Sequence, residues 1–224
     1  PCNPTGSVYS KEELEAIANV IAAHENIIII SDEIYEYINF VGGHVSIGTF
    51  DSVKDRTVTV NGFSKGFAMT GWRLGYMAGP KWLVAACSKI QGQFTSGANS
   101  IAQKAAIAAL NAKPEEILPM KDEFLARRDL FIDLLSKIDG FKINKPMGAF
   151  YLFPDISSFF GKTIKGRKIN SATDFSMLLL EEAFVACTPG EPFGNPDNIR
   201  FSYAASREEL KKAADNIRLL LESN

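Results

Sequence analysis

The sequence has few of the residues that build metal centres, disulfide frameworks and membrane spans. Its 224 residues include 3 cysteines and 2 histidines, which are widely spaced, without a CxxC pair or a His/Cys cluster of metal-ligand spacing. We therefore expect reduced cysteines and a cytoplasmic protein without a metal site. No apolar run approaches the roughly 20 residues that span a bilayer, and the sequence predicts no signal peptide.

The chain also lacks a strong charge of either sign. Its 24 basic and 26 acidic residues leave a formal net charge of -2, which gives no reason to expect nucleic acid or an anionic membrane as a partner. An apolar fraction of 46% is ordinary for a globular protein. We find no internal repeat and no low-complexity tract. The length allows one large domain or two small ones.

The first half of the chain alternates predicted helices and strands, which indicates an α/β fold. Ser10 and Glu13 form a capping box ahead of an amphipathic segment that reaches His24. Residues 27–30 are four consecutive isoleucines, which predict a strand buried on both faces, as in a parallel sheet covered by helices. A second strand is predicted from Thr57 to Val60, where apolar and polar residues alternate.

Helical patterns dominate the following part of the chain. Residues 81–86 and then 88–91 read as helical, and residues 100–112 read as a helix with Ile101, Ala105, Ala106 and Leu110 packing inward. Apolar residues then follow a helical period over residues 115–138, which predicts a long helix joining two domains. We place the domain boundary between residues 112 and 113. The later predicted elements are strands at 148–153 and 198–204 and helices at 172–183 and after Ser206.

A lysine follows the second strand in a Gly-rich turn. Lys65 is flanked by Gly62, Ser64 and Gly66. Most loop lysines are solvated charges, but an amine held near small and apolar residues at a buried strand end is desolvated. Desolvation lowers the pKa of an amine and makes it usable as a nucleophile, so Lys65 is a candidate for a Schiff base.

Three further charged residues in or beside predicted strands are candidates for binding a ligand. Asp32 comes just past the carboxyl end of the isoleucine strand, where open α/β sheets bind ligands, although a turn or helix-capping aspartate is equally open. Arg73 lies between Trp72 and Leu74, and its planar guanidinium suits a phosphate. Arg200 lies in an apolar strand, where an edge-strand charge is the alternative. Glu33 and His44, by contrast, are expected on the surface.

These segments resemble a known family. Residues 61–76, NGFSKGFAMTGWRLGY, and the turn at residues 3–6, NPTG, are similar to the lysine segment and the NPTG motif of pyridoxal-phosphate-dependent aminotransferases. The branch is class I/II of fold type I, and it is aspartate aminotransferase-like. The resemblance implies that residues 1–112 are the C-terminal part of a large cofactor-binding domain with a mainly parallel sheet. Residues 113–224 are then the interdomain helix and a small α+β domain.

The resemblance also implies roles for the cofactor-binding residues. Lys65 carries pyridoxal 5′-phosphate as a Schiff base and acts as general base. Asp32 pairs with the pyridine nitrogen and Tyr35 bonds the phenolic oxygen. Ser64 and Arg73 hold the phosphate, although other branches place a serine where this chain has Gly62.

Two more residues gain roles in the same way. Asn3 is implied to bond the cofactor's phenolic oxygen and to help position the substrate carboxylate. Arg200 is implied to clamp the substrate's α-carboxylate. We therefore expect an aminotransferase that moves an amino group between an L-amino acid, aspartate, and a 2-oxo acid, 2-oxoglutarate. The alternatives are an alanine or aromatic aminotransferase, a carbon-sulfur lyase, and the ligand-sensing domain of a pyridoxal-phosphate-binding transcription regulator.

The start of the chain supports one more expectation. It begins without methionine at a turn, while the resemblance covers essentially all 224 residues. We expect the C-terminal portion of a protein nearly twice as long, homodimeric when complete. The resemblance assigns the glycine-rich phosphate loop and the aromatic residue that stacks on the cofactor to the other half. We therefore expect the 224-residue chain alone to bind the cofactor weakly and to transaminate poorly.

Overall fold

The computed structural model describes residues 1–222, apart from the side chain of Pro114. The helices are α1 (Lys11–Ala22), α2 (Lys81–Phe94), α3 (Ser100–Leu110), α4 (Pro114–Leu135), α5 (Ala172–Glu182) and α6 (Arg207–Glu222). The strands are β1 (Ile29–Asp32), β2 (Thr57–Gly62), β3 (Gly75–Ala78), β4 (Tyr151–Leu152), β5 (Thr163–Ile164), β6 (Arg167–Lys168), β7 (Thr188–Pro189) and β8 (Ile199–Ser202). No helix within residues 1–222 combines the length and the hydropathy needed to cross a membrane.

The chain divides into two compact units. The first unit comprises Val8–Lys121 with Pro1, and the second comprises Cys2–Ser7 with the chain from Asp122 onward. The division between the units falls inside α4, whereas the predicted boundary at residues 112 and 113 lies just before this helix. The assignment of residues 1–112 and 113–224 to a large and a small domain stays a prediction.

The first unit is built around a three-stranded sheet in the order β1-β2-β3. β1 runs parallel to β2, with Asp32 paired to Val60. β3 runs antiparallel to β2, with Gly62 paired to Gly75. A Cβ on Gly75 would lie 2.9 Å from the backbone oxygen of Asn61, so a glycine is needed for this close approach. The parallel strand pair, with helices before and after it, confirms the predicted α/β class.

Only one face of β1 is covered within the described chain. Ile29 packs against a buried cluster of Ala18, Ile47 and Val53. Successive side chains of a strand point to opposite faces, and Ile30 on the other face is 74% exposed. The prediction of a strand buried on both faces was therefore wrong, because the described residues supply a covering layer on the Ile29 side alone.

The predicted packing face of α3 was confirmed for Ala106 but was wrong for Ile101 and Leu110. Ala102 and Ala106 are buried, whereas Ile101 is 70% exposed and Leu110 is exposed as well. Ile101 and Leu110 fit a helical period, as the alanines do, but the smaller alanine side chains form the packed face. The helix itself was predicted correctly, and Asn99 caps it by accepting a hydrogen bond from the backbone N–H of Ile101 at 2.9 Å.

The helix ends follow the local signals of the sequence. Ser10 Oγ accepts from the Glu13 backbone N–H at 3.1 Å, and Glu13 Oε2 accepts from the Ser10 backbone N–H at 2.7 Å. This capping box satisfies two N–H groups that would otherwise lack partners. Ser206 likewise accepts from the Glu209 backbone N–H at 3.2 Å at the start of α6. The predicted starts of both helices are confirmed.

The second unit has an antiparallel sheet in the order β4-β8-β7 and a separate hairpin of β5 and β6. Its core is a continuous cluster of buried apolar residues from α4, α5, α6 and the strands. Phe175 is completely buried there and stacks on Phe159 with ring centres 4.6 Å apart. The predicted strand at 148–153 is shorter than expected, since only Tyr151–Leu152 pairs as a strand.

The turn at residues 3–6 belongs to the second unit. The backbone N–H of Met147 donates to the Gly6 carbonyl at 2.9 Å. Gly6 has a φ of +67°, and a Cβ at this position would lie 2.4 Å from Cβ of Pro146. Glycine is therefore required both by the backbone conformation and by the close packing. The contact holds Asn3 in a defined place beside the antiparallel sheet.

Candidate active site

Two of the predicted residues lie at one edge of the first unit's sheet. Asp32 ends β1, and Lys65 follows the end of β2 after three residues. Because β1 and β2 are parallel, both residues lie at the carboxyl edge of the sheet, where α/β folds bind ligands. Asp32 is exposed and its Oδ1 accepts from the Ile34 backbone N–H at 3.2 Å, while Lys65 is half-buried.

The loop that carries Ser64 and Lys65 packs tightly on itself. The Phe63 backbone N–H donates to the Leu74 carbonyl at 3.3 Å, which closes the loop at its base. A Cβ on Gly66 would lie 2.4 Å from Cδ2 of Tyr37, so a larger residue requires the Tyr37 ring to move. The glycine after Lys65 therefore lets the lysine loop lie directly against the segment that follows β1. Ser64 is half-buried in this loop.

Tyr35 and Arg73 occupy different surroundings. Tyr35 is buried in the turn after β1. Arg73 lies just before β3 with a φ of 53°, and its Nη1 donates to the Thr70 carbonyl at 2.8 Å. It lines a cavity of about 1200 Å³ bounded by β2, β3, α2 and α3. The cavity's polar lining side chains include Asn61, Gln91 and Asn99.

The cavity gathers only part of the predicted cofactor site. Within the described chain its lining includes Arg73, but not Asp32, Tyr35, Ser64 or Lys65. Of the two predicted phosphate ligands, Arg73 thus lines this cavity and Ser64 does not, while Lys65 and Asp32 lie at the sheet edge. The cofactor-binding roles of these residues stay predictions. The structure gives the strand or loop in which each residue lies.

A buried carboxylate beside Asp32 was missed. Glu33 is only 6% exposed, and His44 Nε2 lies 2.7 Å from its Oε2. Ser46 and Ser31 donate to its Oε1 at 2.6 Å and 3.0 Å. Burial by itself would raise the pKa of the Glu33 carboxyl, but the hydrogen bonds from His44, Ser46 and Ser31 outweigh burial and hold the pKa below its usual value.

The expectation that Glu33 and His44 lie on the surface was therefore wrong for Glu33 and for the half-buried His44. Alternation along β1 was the signal that could have found Glu33, whereas nothing local in the sequence indicates the place of His44. Asp32 and Glu33 are neighbours in an extended segment, so their side chains point to opposite sides. If Asp32 faces solvent and ligand, Glu33 must face the protein, where a carboxylate needs partners.

In the second unit, the structure brings Asn3 and Arg200 together. Arg200 Nη1 donates to Asn3 Oδ1 at 2.7 Å, and Arg200 Nη2 donates to Thr188 Oγ1 at 3.2 Å. Arg200 lies in β8 opposite Thr188 of β7. A guanidinium carries five N–H donors, so these two bonds leave donors for an incoming anion. The pair suits a carboxylate that binds Arg200 with an amide beside it.

Comparisons with known proteins agree with the motifs. The family model described as "Aminotransferase class I and II" matches residues 1–217. A bifunctional aspartate aminotransferase and glutamate/aspartate-prephenate aminotransferase of Petunia hybrida is 50% identical, over 99% of this chain and 47% of the relative. An aspartate aminotransferase of Geobacillus stearothermophilus is 44% identical, over 100% of this chain and 56% of the relative.

Solved structures give the same result. The aspartate aminotransferase of Rhizobium meliloti matches with a TM-score of 0.95 at 39% identity, over 99% of this chain and 56% of that chain. The aromatic aminotransferase of Pyrococcus horikoshii matches with a TM-score of 0.89 at 38% identity, over 100% of this chain and 58% of that chain. The chain spans about half the length of the curated relatives it matches. The family of pyridoxal-phosphate-dependent class I and II aminotransferases, of fold type I, is the one to which this chain belongs.

Proposed function

We propose that the site formed with these residues is that of an aminotransferase. It moves an amino group between an L-amino acid, aspartate, and a 2-oxo acid, 2-oxoglutarate, with pyridoxal 5′-phosphate as cofactor. The observation that carries the proposal is the placement of Asp32 and Lys65 at one edge of a parallel strand pair. The aspartate preference rests on the names of relatives about 50% identical to this chain.

The donor set fits the cofactor. A half-buried primary amine, Lys65, suits an aldehyde carbon, and a carboxylate, Asp32, suits a pyridine nitrogen that must hold a proton. The phenol of Tyr35 suits the cofactor's phenolic oxygen. The guanidinium of Arg73 and the hydroxyl of Ser64 suit a phosphate, because both donate hydrogen bonds to an anion. All five side chains belong to the first unit.

When bound, the cofactor supplies an electron sink for the bond at the substrate's α-carbon. The protein's residues do the rest. The Lys65 amine takes the proton from the α-carbon of the amino-acid substrate as general base. In the second half of the reaction it gives a proton to the α-carbon that comes from the 2-oxo acid. Asp32 keeps a proton on the pyridine nitrogen through its negative charge. Lys65 suits both proton transfers because the flexible four-carbon stem of a lysine lets the amine move between positions.

Arg200, in the second unit, is the proposed ligand of the substrate's α-carboxylate. The N–H groups of Arg200 that Asn3 and Thr188 leave open can donate to an α-carboxylate. A guanidinium and a carboxylate form two parallel hydrogen bonds, which orient the substrate as well as hold it. Since every amino acid and 2-oxo acid has this carboxylate, Arg200 serves both substrates. Selection of the side chain is left to other residues.

The first test is visible absorption of the purified chain with added pyridoxal phosphate, before and after borohydride reduction. We expect a band that reduction fixes onto Lys65, located by peptide mapping, and no fixed band in Lys65→Ala. Lys104→Ala, which removes an exposed lysine of α3, is the matched control and should keep the band. Fixation at another lysine with Lys65 unmodified would contradict the assignment.

A panel of amino donors and acceptors then tests the substrates. In the complete protein, aspartate with 2-oxoglutarate should be the preferred pair, and activity with other donors but not with aspartate would overturn this preference. Prephenate is a second candidate acceptor, because the Petunia hybrida relative is named for transamination of aspartate and prephenate. Activity with prephenate above that with 2-oxoglutarate would favour it.

Three further expectations accompany the activity. We propose that the 224-residue chain turns over poorly alone, since apolar residues such as Ile30 remain exposed beside the predicted site. We also propose a homodimer for the complete protein and a cytoplasmic location, supported by three free cysteines. Robust turnover by the isolated chain would contradict the first expectation, and sedimentation and cell fractionation test the others.

A further inference from the structure

Two aromatic rings contact the guanidinium of Arg200. Its Cζ lies 4.6 Å from the ring centre of Tyr151 and 5.0 Å from the ring centre of Phe193. A cation within about 6 Å of a ring centre is attracted by the electron-rich ring face. We infer that Tyr151 and Phe193 are positioning residues that hold Arg200 ready for a carboxylate. This inference rests on the proposed function, which makes Arg200 the carboxylate ligand.

The sheet register explains why Tyr151 reaches Arg200. Tyr151 of β4 pairs with Ser202 of β8, and Thr188 of β7 pairs with Arg200. Paired residues in antiparallel strands share a face, and so do residues two apart along one strand. Tyr151, Arg200 and Thr188 therefore project from the same face of the sheet. The Tyr151 ring and the Thr188 hydroxyl then flank the guanidinium from neighbouring strands.

Phe193 comes from outside the sheet and is braced independently. It ends the short 3₁₀ helix Glu191–Phe193 that follows β7. Its ring packs edge-on against the buried ring of Phe153, with centres 6.0 Å apart and planes at 87°. A Cβ on Gly190 would lie 2.1 Å from the Asn195 carbonyl oxygen, so the turn that presents Phe193 is tightly closed. The second ring is thus fixed by contacts other than Arg200.

Restricting the rotamers of Arg200 before a carboxylate binds should increase its affinity for the carboxylate. An arginine side chain has many rotamers, and ordering it on binding reduces affinity. Two rings and the hydrogen bonds to Asn3 and Thr188 restrict these rotamers before an anion arrives. The N–H groups that remain then face the anion in a defined plane, which matches the planar carboxylate. The rings act through Arg200 and need not touch the substrate.

The experiment compares loss of a ring with its replacement by another ring. Tyr151→Leu and Phe193→Leu remove the aromatic faces, whereas Tyr151→Phe and Phe193→Tyr keep them. In the 224-residue chain, the Nε–H signal of Arg200 is assigned by ¹⁵N NMR with Arg200→Lys, and its exchange with water is measured. We expect faster exchange in both leucine variants and wild-type exchange in both aromatic variants.

A titration with succinate as the carboxylate probe gives the second readout. Loss of either ring should weaken succinate binding by about threefold to tenfold, in line with the usual strength of cation–π contacts. The ring-conserving variants should bind as the wild type does. A ring that only supports the fold would lower the melting temperature without moving the Arg200 exchange rate, so thermal unfolding is recorded for each variant.

The outcomes separate this inference from the proposed function. Unchanged Arg200 exchange and succinate affinity in both leucine variants would overturn the positioning role. A wild-type chain that binds no succinate would remove Arg200 as the carboxylate ligand, and the proposed function would lose its substrate anchor. The exchange rates would still show whether the rings hold Arg200. Phe193 is half-buried, so its variant remains informative if Tyr151→Leu does not fold.

Discussion

The two units of the chain differ in where they place their large apolar side chains. The second unit buries residues such as Phe175 and Ile217 completely in one continuous cluster. In the first unit Ile30 and Phe94 are 74% and 84% exposed, and Ile101 is exposed as well. Burial of apolar surface is the main favourable term in folding. We therefore expect the second unit to contribute more to the stability of the chain, whereas the first unit has large apolar side chains exposed within the described residues.

This contrast is tested most strongly by truncating one apolar residue in each unit. Phe175→Ala removes a fully buried ring stacked on Phe159 and should lower the free energy of unfolding by about 3–5 kcal/mol. Ile101→Ala removes an exposed side chain and should change it by less than about 0.5 kcal/mol. Urea unfolding of the chain measures both, and equal losses would contradict the contrast.

Glu33 is an exception in the first unit, since its polar side chain is buried and fully engaged. Glu33→Gln should lower the free energy of unfolding by about 2 kcal/mol at pH 7, because an amide faces donors that a carboxylate accepted from. The pKa of Glu33 is lowered in the folded state. Its stabilisation is therefore present above the usual carboxyl pKa of about 4.3 and is lost as the pH falls through the lower folded-state value.

The measurement is urea unfolding of wild type and variant at a series of pH values from 7 downward. The difference between the two proteins should shrink below about pH 4. Glu25→Gln changes an exposed carboxylate and serves as control, whereas Glu36 is unsuitable because its carboxylate lies within 4.8 Å of Glu33 and His44. A difference that grows as the pH falls would mean that the hydrogen bonds from His44, Ser46 and Ser31 do not hold Glu33 ionised.

The smallest expected change in stability comes from two equally exposed phenylalanines. Phe94 in α2 and Phe184 after α5 are both 84% exposed. Replacing either one by serine should change the free energy of unfolding by less than about 0.5 kcal/mol. Phe94 lies one helical turn from the exposed Ile90, so the two form a shared apolar stripe.

Because contiguous apolar surface promotes association, Phe94→Ser should reduce self-association and Phe184→Ser should not. Sedimentation velocity over a range of concentrations measures this. Equal behaviour of the two variants would mean that the exposed residues of the first unit do not act together.

Local patterns in the sequence predicted the elements well. The capping box of Ser10 and Glu13 gave the start of α1, because it depends on four neighbouring residues. The order of strand, turn and Lys65 predicted that Lys65 follows the end of a strand, and it follows β2. Such features are encoded by short segments, so they are readable without knowledge of distant contacts.

Burial was harder to predict, because it depends on residues far away in sequence. Four consecutive isoleucines look the same whether one or both faces of their strand are covered, and Ile30 proved exposed. The partners of Glu33 include His44 and Ser46, 11 and 13 residues away. Tyr151 and Phe193 gave no signal at all, since an aromatic residue near a strand usually indicates core packing.

The hydrogen bond between Asn3 and Arg200 joins residues 197 positions apart in the chain, so the two residues are synthesised at different times. During synthesis at about 5–20 residues per second, roughly 10–40 s pass between the emergence of the two residues. Asn3 cannot form this bond during that interval. The predicted carboxylate site can therefore form only after β8 has been synthesised, and a chain that ends before β8 has no such site.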